Sequence, residues 1–82
     1  MTNNQAVALR TLELLRKNKM TAYQLENKAL IPHSTLSNIL NGKHKDVQLE
    51  VIYKLAFGFD MSYLEFLDSE VFRSVDILKE LK

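Results

Sequence analysis

The chain has 82 residues, of which 46% are hydrophobic and 26% charged, with no cysteine. A chain of this size builds one core, which excludes a cofactor domain or a two-domain cleft, and the missing cysteines exclude disulfides and thiolate metal sites. No segment approaches the roughly 18 apolar residues of a membrane span, and the polar start MTNNQ does not have the form of a signal peptide. We therefore expect a cytoplasmic binding module rather than an enzyme.

The formal net charge of +1 conceals an uneven distribution of charge along the chain. Residues 1–45 carry seven Lys or Arg and two Asp or Glu. Residues 46–82 carry four Lys or Arg and eight Asp or Glu. Both histidines also lie in the basic half. A basic face beside an acidic one can direct a protein to a polyanion, so the pattern favours nucleic-acid binding. Chance fluctuation in a short chain is the alternative interpretation.

Helical periodicity dominates the first half of the chain, and no segment alternates as a strand would, which predicts an all-α protein. A first helix is expected from about Asn4 to Lys17. The capping box Thr21-Ala22-Tyr23-Gln24 predicts a second helix of about eight residues. Leu30-Ile31-Pro32 ends it, because the residue before proline is driven out of the helical region. A third helix is expected from about His33 to Asn41.

The second half predicts further helices. Gly42 can adopt the left-handed conformation that ends the third helix, and a basic loop follows it. A fourth helix is expected over about Gln48–Phe57. The capping box Ser62-Tyr63-Leu64-Glu65 predicts a fifth helix through Leu67. Beyond it, apolar residues at helical spacing predict an additional C-terminal helix: Val71, Phe72, Val75, Leu78 and Leu81.

The second and third helices, joined by a short turn, have the form of a helix-turn-helix pair. The outer face of the third helix is small and polar: His33, Ser34, Ser37 and Asn38. Small side chains let a helix enter the major groove, and asparagine can bond adenine in a bidentate manner. An idle surface more often carries Glu and Lys, which are better helix formers. This face is therefore the predicted site of DNA contact.

Residues 7 to about 67 resemble the lambda-repressor-like, XRE-type helix-turn-helix domain. The residues that carry the resemblance are Met20 to Leu25, Ile31 to Lys43, Leu49, Ile52, Lys54 to Ala56, and Met61 to Leu67 except Leu64. The resemblance implies a five-helix DNA-binding domain, which we place at residues 1–68, and the apolar spacing beyond it predicts residues 69–82 as a helical extension. With two histidines, no cysteine and no sensor domain, we expect no catalytic residue, cofactor, metal or small-molecule ligand.

The resemblance also implies roles for individual residues. Base contacts fall on His33, Ser34 and Asn38, with Ser37 nearby. Phosphate contacts fall on Thr21, Tyr23, Asn41, Lys43 and Lys45. The alternatives are a surface residue at the helix start for His33, a helix cap for Asn41, and a solvated loop for the lysines.

Asp46-Val47 replaces a frequent Asn-Pro, and three positions in the helix pair also depart from the family pattern. Ala22 stands where a phosphate-binding glutamine is frequent, so the hydroxyl of Tyr23 is expected to substitute for it. Glu26 stands where a small residue commonly packs, so either its side chain extends outward or the helix pair is spaced more widely. Leu30 replaces the usual turn glycine, so the turn must avoid a positive φ or be strained.

These observations predict a sequence-specific, double-stranded DNA-binding transcriptional regulator, a repressor acting as a homodimer on a pseudo-palindromic operator. The C-terminal apolar residues exceed what a five-helix core requires, so we expect them to form the dimer contact, with packing on the same domain as the alternative. A different function remains open: an antitoxin-like or adaptor module that binds a protein partner through its acidic C-terminal half. An enzyme is disfavoured, because the chain has no phosphate loop, nucleophile elbow or metal-ligand cluster.

Overall fold

The computed structural model describes residues 2–43 and 47–73, and within them the chain forms helices and no strand. The helices are α1 Asn3–Lys17, α2 Ala22–Ala29, α3 His33–Leu40, α4 Leu49–Gly58, α5 Tyr63–Leu67 and α6 Glu70–Arg73. The all-α prediction is confirmed, and the predicted helix ends are shifted by about one residue in α1, α3 and α4. Within the same residues, no helix is long and apolar enough to cross a membrane.

Capping boxes begin three of the helices. In each, the hydroxyl of the cap residue accepts the backbone N–H three residues later at 3.1 Å, and that later residue's side chain accepts the cap's N–H at 2.9 Å. The pairs are Thr2 with Gln5, Thr21 with Gln24, and Ser62 with Glu65. The second and third confirm the prediction, whereas the first was not predicted and sets the start of α1.

The cap of α5 also affects a titratable group. The backbone N–H of Ser62, followed by its hydroxyl, lowers the pKa of Glu65 by stabilising the carboxylate. The stability that this bond contributes is therefore complete above the usual glutamate pKa and is lost as the pH falls through the lowered value.

The first four helices end in the same way, with one residue in the left-handed conformation. These residues are Lys19 at φ 51°, Leu30 at 57°, Gly42 at 71° and Asp60 at 57°. In each case the next N–H bonds to the carbonyl five residues earlier, at 2.9–3.1 Å, which is a Schellman motif. Only glycine adopts this conformation without a penalty, and the others each cost about 1–2 kcal/mol. The sequence predicts that the turn after α2 either avoids a positive φ or is strained. The structure shows a positive φ at Leu30, so the turn is strained.

Leu30→Gly is expected to raise the free energy of unfolding by about 0.5–1 kcal/mol, because relief of left-handed strain exceeds the added entropy of the unfolded chain. The side chain is 76% exposed, so little buried apolar area is lost. Urea denaturation measures the change. Leu30→Ala, which keeps a Cβ, is the control and should give no gain. An equal gain in both variants would show that strain is not its source.

The helices surround one apolar core. Its largest fully buried apolar side chains are Phe66, Leu14, Leu25, Leu36, Ile39 and Leu55. Helix α4 packs against α2 and α5. A Cβ on Gly58 would lie 2.6 Å from Leu25 Cδ1 and 3.0 Å from Ala29 Cβ, so a larger residue there would force these neighbours to shift. The crossing fixes α2, the first helix of the helix-turn-helix pair, against the core.

Arg10 connects α1 to the end of α5. Its Nε donates to the carbonyl of Phe66 at 2.8 Å, and its Nη2 donates to the carbonyl of Glu65 at 2.9 Å. The guanidinium also pairs with Glu13 and lies 5.9 Å from the centre of the Phe66 ring. These bonds from α1 reach two carbonyls at the C-terminal end of α5, where the carbonyl of Glu65 also accepts the N–H of the C-cap Asp68 at 3.2 Å.

The described part of the C-terminal segment lies against its own domain. Phe72 of α6 is half-buried, and its ring centroid is 5.9 Å from that of Phe66. Val71 is also half-buried, and α6 contacts α1. The remaining predicted dimer residues, Val75, Leu78 and Leu81, lie outside the described residues. The division of the chain at residue 68 and the dimer contact stay predictions.

Candidate nucleic-acid interface

Helices α2 and α3 form a helix-turn-helix pair joined by residues 30–32. The pair buries Leu25 and Ala29 of α2 together with Leu36 and Ile39 of α3, and Ile31 in the turn is also buried. Packing among these five side chains fixes the rotation of α3 about its own axis, because Leu36 and Ile39 must point into the core. Because its apolar side is directed into the core, its polar side is left at the surface.

The four residues predicted to contact bases share that surface. At about 100° per residue, His33, Ser34, Ser37 and Asn38 lie within an arc of roughly 140° on the helix, and we call them the recognition face. His33, Ser34 and Asn38 are exposed, whereas Ser37 is half-buried. Exposed serine and asparagine side chains can donate to and accept from base edges.

The recognition face is connected to α2 by a contact that the sequence did not predict. Glu26 Oε2 lies 2.8 Å from His33 Nδ1. The Glu26 side chain is only 12% exposed, whereas that of His33 is 83% exposed. Glu26 therefore reaches across the junction of the two helices to the first residue of α3, rather than extending into solvent as one of the two expectations had it.

The C-terminal end of α3 carries the next predicted contacts. Asn41 is the C-cap, and its Nδ2 lies 3.4 Å from Ser37 Oγ. The N–H of Lys43 bonds to the carbonyl of Asn38 at 2.9 Å, which fixes the backbone of this lysine directly after the helix. Both side chains are exposed, and Lys43 forms no ion pair within residues 2–43 and 47–73. Lys45 lies outside the described residues.

The start of α2 combines two further predicted positions. Thr21 is the N-cap, so its hydroxyl oxygen already accepts an N–H, and its hydroxyl hydrogen remains as a donor. Tyr23 is 72% exposed, and its hydroxyl has no hydrogen-bond partner in the described part of the chain. The first backbone N–H groups of a helix have no partner within it, and together with the helix dipole they attract phosphate.

A cleft of about 160 Å³ brings the two helices' polar residues together. It is lined by Ala22, Glu26, His33, Leu36, Ser37, Leu40 and Asn41. Two predicted base contacts and one predicted phosphate contact therefore adjoin the start of α2. Ala22 contributes no polar side chain, so the polar groups of the cleft come from the other lining residues.

Most of the lysine and arginine side chains in residues 2–43 have no acidic partner in the described structure. Arg10 and Lys28 are paired with Glu13 and Asp60 respectively. The other cations of residues 2–43 form no ion pair in the described structure: Arg16, Lys17, Lys19 and Lys43. They are therefore available to an anionic partner.

The apolar sides of α2 and α3 pack into the core, and α3 presents small polar side chains at the surface. These features define a protein of the helix-turn-helix class. Residues 10–70 match the family model of the Cro/C1-type HTH DNA-binding domain. The match covers most of the chain, so the chain belongs to this family, and the resemblance to lambda-repressor-like, XRE-type domains is confirmed. Comparisons with curated proteins and with solved structures gave no match. Family membership supports a DNA-binding regulator, and the family is normally non-enzymatic.

Proposed function

We propose that the protein is a sequence-specific, double-stranded DNA-binding transcriptional regulator that represses as a homodimer on a pseudo-palindromic operator. The single observation that carries the proposal is the exposed recognition face of α3, held outward by the burial of Leu36 and Ile39. A regulator with one small domain can repress by occupying its site, because occupancy alone excludes other proteins from that DNA.

Base reading is assigned to the recognition face. Asn38 is exposed and near the middle of the polar surface, and its amide can donate to N7 and accept from N6 of one adenine only when both atoms are correctly placed. Ser34 and Ser37 are short enough to leave α3 deep in the groove. His33 offers one ring nitrogen to DNA, because the other is bonded to Glu26.

Phosphate binding is assigned to the ends of the two helices. Lys43 follows α3, Asn41 caps it, and Thr21 and Tyr23 stand at the N-terminal end of α2. Contacts to phosphate set the position and orientation of a protein on the duplex without reading its sequence. Lys45 completes the proposed phosphate contacts from outside the described residues.

Homodimer formation follows from the small footprint of one domain. A single helix-turn-helix offers few contacts, and useful affinity requires two half-sites, whose centres lie about 34 Å apart on the same side of the duplex. The proposed dimer contact involves Val71, Phe72, Val75, Leu78 and Leu81. The half-burial of Phe72 against Phe66 means that this residue serves the domain's own core as well.

Selection of bound sequences from a random pool of duplex DNA tests the proposal. We expect enrichment of an inverted repeat whose half-sites are one helical turn apart, and a dimer mass for the protein in sedimentation. Enrichment of a single asymmetric half-site would contradict the dimer. The absence of any enrichment at moderate salt would contradict DNA recognition and favour the protein-interaction module.

Lys43→Ala is expected to weaken binding to every DNA sequence by a similar factor and to lower the slope of log K against log salt concentration by about 1. The reason is that one fewer counterion is released when one phosphate contact is lost. Fluorescence anisotropy titrations at several salt concentrations measure the slope. Lys54→Ala is the matched control, because Lys54 is paired with Glu50 on α4. An unchanged slope for Lys43→Ala would remove this residue from the phosphate contacts.

A further inference from the structure

We propose that Glu26 is a positioning residue that fixes the imidazole of His33, and that it thereby determines the base preferred by the first position of α3. The inference rests on the proposed function, since it concerns how the recognition face reads DNA. It is carried by the 2.8 Å contact between Glu26 Oε2 and His33 Nδ1 and by the low exposure of the Glu26 side chain, which is 12%.

Burial makes the contact significant for Glu26. A carboxylate that loses part of its contact with water gains from a hydrogen bond that replaces one to solvent. His33 Nδ1 is the partner that the described structure provides for this carboxylate. Replacing that partner would leave Glu26 without a bond at the junction of α2 and α3, so the two side chains hold each other.

Exposure makes the contact significant for His33. An exposed imidazole at the first position of a helix would otherwise rotate and present either nitrogen to DNA. A carboxylate can only accept, so Nδ1 carries the proton and donates it to Glu26. The second nitrogen, Nε2, is then the atom available to a base.

The protonation of Nδ1 determines what Nε2 can recognise. In a neutral ring whose proton is on Nδ1, Nε2 is an acceptor. In the major groove, the exocyclic donors are the amino groups of adenine and cytosine, whereas guanine and thymine offer acceptors. Glu26 therefore selects a base that presents an amino group to His33, although it does not itself contact the DNA.

The position of the proton on the His33 ring is tested first, in the protein without DNA. Nitrogen-15 NMR at about pH 8, above the usual titration range of histidine, reports which ring nitrogen carries the proton. His44→Gln leaves His33 as the single histidine. We expect the Nδ1–H tautomer in this background, a shift toward the Nε2–H tautomer after Glu26→Ala, and retention of the Nδ1–H tautomer after Glu26→Gln, whose amide oxygen still accepts. Identical spectra for all three would overturn the proposal.

Base preference is tested next by selection from random duplex DNA at the same pH. We expect Glu26→Ala to reduce the preference for an amino-bearing base at one base pair of each half-site by about fivefold, the size of one lost hydrogen bond, and to leave the other positions unchanged. Glu26→Gln should restore most of the preference. Glu50→Ala, an exposed acid on α4, is the matched control.

A double substitution separates positioning from packing. In a His33→Ala background, Glu26→Ala should cause no further change in base preference. A loss spread equally over all positions, or a preference for guanine at the His33 position in the unaltered protein, would overturn the proposal. If the unaltered protein enriches no DNA, the proposed function and the specificity role both fail, whereas the NMR experiment still decides whether Glu26 holds His33.

Discussion

Arg10→Ala is expected to lower the free energy of unfolding by about 3 kcal/mol. The guanidinium donates to two backbone carbonyls of α5, and hydrogen bonds that involve a charged group each contribute about 1.5–3 kcal/mol. The Arg10 side chain is 11% exposed, so its aliphatic part is also packed. The loss is less than the sum of these contributions, because water can reach the carbonyl of Glu65.

Denaturation by urea with far-UV circular dichroism measures this change. Arg16→Ala is the matched control, since Arg16 is exposed on the same helix, and its effect should stay within about 0.5 kcal/mol. The loss of free energy of unfolding in Arg10→Lys should lie between those of Arg10→Ala and Arg16→Ala. The reason is that an ammonium lacks the planar fork of donors that reaches both carbonyls. A change in Arg10→Ala as small as that of the control would show that α5 does not depend on this arginine.

Asn38→Ala is expected to weaken binding to the preferred DNA site by about 1–3 kcal/mol, or roughly 5- to 150-fold, and to relax the preference at one base pair. The reason is that a bidentate asparagine contact is made only with a correctly placed adenine. Non-specific binding should be almost unchanged, because Asn38 carries no charge.

Anisotropy titrations at one fixed salt concentration, with the preferred site and with single-base variants, measure the effect of Asn38→Ala. Asn27→Ala is the matched control: Asn27 is exposed on α2 and lines a different surface depression with Asn18 and Lys28. It should leave both affinity and preference unchanged. An equal loss on all DNA sequences after Asn38→Ala would contradict base reading by this residue.

Local sequence signals predicted most helix boundaries of the described structure. The capping boxes at Thr21 and Ser62 begin α2 and α5, and Pro32 precedes α3. Each signal involves groups within one helical turn, so no tertiary contact is needed to interpret it. The same chemistry at Thr2 begins α1, and the sequence TNNQ contained that signal too.

The recognition face was also predictable from the chain alone. The spacing of Leu36 and Ile39 determines which side of α3 is buried, and the remaining positions then share the other side. The family resemblance pointed to the same residues. The roles of these side chains toward DNA remain the proposal that the selection experiments test.

The sequence by itself determined the helices, their capping and the side of α3 that reaches the surface, because these depend on neighbours within a few residues. Only the tertiary structure decided the partners of Glu26 and Arg10. Arg10 and Phe66 are 56 residues apart, and Glu26 and His33 are separated by a turn. Such contacts depend on how the helices pack, and no local pattern specifies the distance between two helices.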